Sequence, residues 1–85
     1  MKTSPPKILV IKSDVTELKK VEDFLINIFI EFKLEKMYFN KIYLCISEAV
    51  INSIQHGNKN DFDKEVSIVL DCNDEEINIK IEDEG

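Results

Sequence analysis

The sequence predicts an α+β domain, a two-layer sandwich in which two helices pack on one face of a mostly antiparallel sheet. Three observations lead there. Two stretches, one opening at Leu18 and one closing at His56, carry apolar residues at spacings of three and four. Two later stretches alternate apolar and polar residues with period two. A short β-branched run lies near the start of the chain. At 85 residues the chain has room for one domain. A domain of that size buries roughly 60–65% of its unfolded surface.

Residues 1–6 read as a flexible lead-in closed by Pro5 and Pro6, and residues 7–85 as a single domain. Lys7-Ile8-Leu9-Val10-Ile11-Lys12 is the first strand, and its unbroken apolar run predicts burial on both faces. Asp14 with Glu17 three residues on resembles a capping box. The first helix then presents Leu18, Val21, Phe24, Leu25, Ile28 and Phe29 as one stripe, widened by Ile26 and Ile30, and ends near Phe32-Lys33.

The second helix begins between Glu35 and Lys41, with a stripe of Ile42, Cys45, Ile46, Ala49, Val50 and Ser53. His56 falls in its last turn, and Gly57 is placed to stop it in the left-handed conformation. Asn58 to Lys64 reads as a loop. Val66, Ile68 and Leu70 mark the next strand and Ile77, Ile79 and Ile81 the last, with Asn73-Asp74-Glu75 as the hairpin turn between them.

Composition removes several function classes. The chain holds 11 basic and 17 acidic residues, net −6, which repels phosphate backbones and argues against direct nucleic-acid binding. The same charge is compatible with a nucleotide bound through Mg²⁺, which would supply the missing positive charge. No apolar run approaches the about 20 residues of a membrane span. The start lacks a secretory signal, so a soluble, cytoplasmic protein without membrane partners is expected. Cys45 and Cys72 have no metal-ligand spacing and are expected to be buried thiols.

Glu48 and Asn52 are four residues apart, about 40° around the helix axis, and share one edge of the apolar stripe; His56 continues that edge. A carboxylate beside an amide oxygen suits Mg²⁺, which takes one or two protein oxygens and leaves the rest to phosphates and water. Alone, each feature also has an ordinary structural explanation. Glu48 and Asn52 make a solvated i,i+4 pair, His56 favours the helix dipole, and Asp and Gly populate turns everywhere.

Their order is more specific. Ser47-Glu48-Ala49-Val50-Ile51-Asn52-Ser53-Ile54-Gln55-His56-Gly57-Asn58-Lys59 resembles the N box of the GHKL (histidine-kinase-like) ATPase superfamily, and most closely that of the anti-sigma-factor serine kinases. Asp83-Glu84-Gly85, at the end of the hairpin's second strand, resembles the opening of the family's DxGxG box. The leading strand, first helix and hairpin also fall in the family's order, so the resemblance runs from about Lys7 to Gly85 and implies an incomplete histidine-kinase-like ATPase fold.

The resemblance implies ATP and Mg²⁺ as cofactors. Asn52 would coordinate the Mg²⁺, and Glu48 would be the acid/base residue beside the γ-phosphate. Asp83 would accept a hydrogen bond from the adenine amino group, and Gly85 would let the backbone approach the base. His56, Gly57 and Asn58 would lie near the nucleotide's edge. The implied activity is phosphorylation of a serine on an anti-anti-sigma partner, together with sequestration of a sigma factor, by a homodimer. In the family a second glycine, a lid with a glycine-rich turn and further strands come next. None follows Gly85 here, so this chain is expected to be the N-terminal part, cut at the start of the DxGxG box and not competent as a kinase alone. Two other readings stay open: a non-enzymatic protein-binding or dimerisation module, and a histidine-kinase-type catalytic fragment.

Overall fold

In a computed structural model that describes residues 5–72 and 76–84, the chain forms β1 (Lys7–Lys12), α1 (Leu18–Glu31), α2 (Phe39–Asn52), β2 (Glu65–Cys72) and β3 (Ile77–Glu82). The three strands form one antiparallel sheet in the order β1-β2-β3. This is the predicted α+β arrangement, with two helices and an open sheet. The expected hairpin turn at Asn73-Asp74-Glu75 and the site residue Gly85 lie outside the described residues.

Register explains the single apolar face. Leu9 stands opposite Ile68, Ile11 opposite Val66, Ile81 opposite Ile68 and Ile77 opposite Cys72. Val66, Ile68, Leu70 and Cys72 of β2 are all buried, as a central strand under helices must be. Val21, Leu25, Ile28 and Phe29 of α1, with Ile46 and Val50 of α2 and Ile54 just beyond it, complete the core. The two helices also meet through aromatic rings. Phe29 packs edge-on to Phe39, with centroids 5.2 Å apart, and Phe39 stacks on Tyr43 at 6.0 Å.

Several local expectations are corrected. β1 is an edge strand with one covered face: Leu9 and Ile11 point inward, while Ile8 and Val10 are exposed. An apolar run records hydrophobicity, not the number of neighbouring layers. Ile26 and Ile30 do not widen the buried stripe of α1 but stand exposed beside it. Cys72 is buried, but Cys45 is exposed.

The capping box is not reciprocal. Asp14 Oδ1 accepts from the Thr16 N–H at 3.0 Å and caps a 3₁₀ turn, Val15–Glu17. Glu17 accepts instead from the Lys12 N–H at 3.2 Å and from the Lys20 ammonium. Those two interactions, the lysine foremost, hold the Glu17 carboxyl below its ordinary pKa.

α1 ends close to the expected point, in a Schellman motif. Leu34 N–H donates to Phe29 O at 2.9 Å and Lys33 N–H to Ile30 O at 3.3 Å. Lys33 takes the left-handed conformation there, with φ 54°.

Candidate functional site

The site grows from the C-terminal end of α2. Glu48 and Asn52 sit on this helix one turn apart, about 6 Å along its axis. Both are exposed, while Ile46, Ser47 and Val50 on the other side are buried. The carboxylate and amide are therefore presented to solvent by a helix anchored through its opposite face.

Beyond Asn52 the helix widens into one π-helical turn, Ser53–Gly57. Asn58 N–H donates to Ser53 O at 2.7 Å, and Asn60 N–H to Ile54 O at 2.7 Å. The wider turn buries Ile54 fully and leaves His56 exposed. The expected left-handed stop at Gly57 is not what ends the helix. Gly57 has no positive φ; Lys59 and Asn60 do, at 53° and 58°. With Asp61 N–H on Asn58 O at 3.0 Å, those values match a type I′ turn.

Gly57 is glycine for another reason. A Cβ built on it would overlap the carboxyl group of Asp83. Asp83 follows the last residue of β3, so the carboxylate at the strand's end rests against the backbone at the end of the π turn. Two sequence-predicted residues separated by a loop and a hairpin are thereby brought together.

Asn58, the next residue, points inward and is fully buried. Its Nδ2 donates to Ser13 Oγ at 2.7 Å and to Glu65 O at 3.0 Å, and its Oδ1 accepts from Glu84 N–H at 2.8 Å. Ser13, also fully buried, donates its hydroxyl to Lys64 O at 2.9 Å. Glu84 returns through its carboxylate to the Glu65 N–H. Ser13 and Glu84 were not singled out by the sequence. A lone serine after a strand has no local signature, and its partners are distant along the chain.

The donor set fits Mg²⁺ better than a transition metal. Among the described residues no cluster of three or more His, Cys, Asp or Glu side chains is placed to hold a metal. Asn52, an exposed residue, instead has one amide oxygen to offer, the modest protein share that Mg²⁺ takes beside phosphate and water.

Two helices on one face of an open antiparallel sheet, with a helix end and a strand end meeting at a glycine, make up a partial histidine-kinase-like ATPase fold. The chain belongs to that family: the model of the histidine kinase-like ATPase domain matches residues 11–85. Membership implies an ATP-binding, kinase-like domain. A search of curated proteins found no match. Among the described residues no helix is long and apolar enough to cross a membrane.

Proposed function

We propose that this chain binds ATP with Mg²⁺ at the end of α2 and β3, and that it is the nucleotide-binding part of an anti-sigma-type serine kinase. The observation that supports the site best is the seating of the Asp83 carboxylate against Gly57, just past the helix that carries Glu48 and Asn52. In this reading Asp83 accepts from the adenine amino group, and Gly85 is assigned the approach to the base from the sequence alone. Asn52 holds the Mg²⁺, which supplies positive charge against the phosphates in an acidic protein. Glu48 takes the proton of an incoming serine hydroxyl as its oxygen bonds the γ-phosphorus and ADP leaves with the electron pair of the broken bond.

The protein substrate is an anti-anti-sigma partner, the sequestered protein a sigma factor, and the working form a cytoplasmic homodimer. A partner-binding role is favoured by a groove of about 470 Å³ lined by Ile26, Phe29, Ile30, Lys36, Phe39 and Asn40. Among the described residues, none of those assigned to the nucleotide lines it, so the two roles would use separate surfaces.

Calorimetric titration with Mg-ADP and Mg-ATP tests the site. Wild type binds and Asn52→Ala loses at least tenfold in affinity; equal binding by both rejects the assignment. Incubation with labelled ATP and an anti-anti-sigma protein tests the finer reading, which predicts phosphoserine on that partner from a longer chain that adds the lid and none from these 85 residues alone. Phosphohistidine instead would favour the histidine-kinase-type reading.

A further inference from the structure

We infer that Asn58 and Ser13 form a buried positioning pair that aims Asp83, and that Asn58 itself does not contact the nucleotide. The inference rests on the nucleotide reading above and assigns that site a support it lacked. Asn58 has no exposed surface, and its amide is fully engaged within the chain: both Nδ2 protons are donated and Oδ1 accepts. With both amide protons donated and no surface exposed, the side chain has no donor left and no open face for a ligand.

Its partners are the ends of all three strands. Ser13 follows β1, Glu65 opens β2, and Glu84 lies two residues past β3. The side chain thus continues the hydrogen bonding of the sheet where the strand ladders stop. Ser13 braces the amide, since its Oγ accepts from Asn58 while its own proton goes to Lys64 O.

The consequence falls on Asp83, the residue between β3 and the pinned amide of Glu84. On one side the backbone is fixed by the last ladder pair, Ser67 opposite Glu82. On the other it is fixed by Glu84 N–H on Asn58 Oδ1. The carboxylate between them rests against Gly57, the residue that precedes Asn58. One short segment, Gly57-Asn58, therefore both makes room for Asp83 and ties down the backbone that carries it.

A carboxylate that accepts from the amino group of adenine repels the carbonyl oxygen of guanine at the same place. The ratio of ADP to GDP affinity consequently reads the aim of Asp83, whereas a general loss of stability weakens both nucleotides together. The test measures both affinities for wild type, Asp83→Asn, Asn58→Ala, Asn58→Ala/Asp83→Asn and Ser13→Ala, below each variant's melting temperature. Amide exchange at Glu84 is followed without nucleotide.

Wild type is expected to prefer ADP at least tenfold. Asn58→Ala should lose most of that preference, and the double variant should be no less selective than Asp83→Asn alone. Exchange at Glu84 should quicken at least tenfold in Asn58→Ala. Ser13→Ala, the milder change, covers the case in which Asn58→Ala does not fold, and should move both readouts in the same direction. Retained selectivity, or unchanged exchange at Glu84, in a folded variant overturns the positioning role. No ADP preference in wild type, or none lost in Asp83→Asn, rejects the adenine assignment itself, and the exchange data then decide whether the latch exists without it.

Discussion

Gly57 and Asn58 show how adjacent residues carry different constraints. Gly57 is required by the neighbouring Asp83 carboxyl group and not by its own backbone, because its φ is not positive. Gly57→Ala is expected to push the exposed Asp83 carboxyl group off its seat with little loss of stability, since a side-chain end can rotate aside. The same change should weaken Mg-ADP binding at least tenfold, as read by a denaturant melt alongside a titration. Unchanged Mg-ADP affinity would show that the nucleotide does not depend on the Asp83 carboxylate resting against Gly57. Asn58→Ala removes partners from the buried Ser13 hydroxyl and the Glu84 amide, and is expected to cost about 1–3 kcal/mol in the same melt. The motif residues themselves were legible in the sequence by their order. Why Gly57 is glycine was not, since the reason lies in Asp83, across a loop and a hairpin. A glycine after a helical stripe looks like a left-handed stop whether or not it is one.

The elements repeat that pattern. The stripe of α1, the alternation of β2 and β3, and the start of α2 between Glu35 and Lys41 were all readable, because each depends on residues a few positions apart. The exposure of Ile8, Val10, Ile26 and Ile30 was not, because it depends on which layers lie beyond them. The π turn also had no local sign; it answers to the burial of Ile54 and the inward reach of Asn58. Two predictions belong here. Lys33 occupies a left-handed helix-end position that glycine fills without steric cost, so Lys33→Gly is expected to raise stability by about 0.5–1 kcal/mol in denaturant unfolding. A loss would mean that chain entropy outweighs the relief. Glu17, whose pKa is lowered, binds its proton less readily folded than unfolded. Its contribution is full above the ordinary carboxylate range and is lost as pH falls through the folded value. Glu17→Gln should therefore lower the melting temperature slightly at neutral pH, where the ionised carboxylate contributes, and converge on wild type in acid, which flattens the acid side of the profile.

Across the whole molecule, net charge and architecture set the terms for a ligand. A domain at net −6 attracts a nucleotide poorly unless a cation travels with it. Removing Mg²⁺ with a chelator is expected to weaken ADP binding at least tenfold, by calorimetry at constant ionic strength; unchanged affinity would reject the metal-bridged reading. The groove between the helices, with Ile30 70% exposed at its wall, is a second and separate apolar surface. The nucleotide site proposed at the meeting of α2 and β3 is spatially distinct from that groove. The measurement that tests it most directly is a two-dimensional ¹⁵N–¹H NMR titration of this chain with Mg-ADP. The predicted result is shifts concentrated at Glu48, Asn52, Gly57 and Asp83, with Ile26, Ile30 and Lys36 unmoved. No shifts, or shifts centred on the α1–α2 groove, would contradict a nucleotide site at the meeting of α2 and β3.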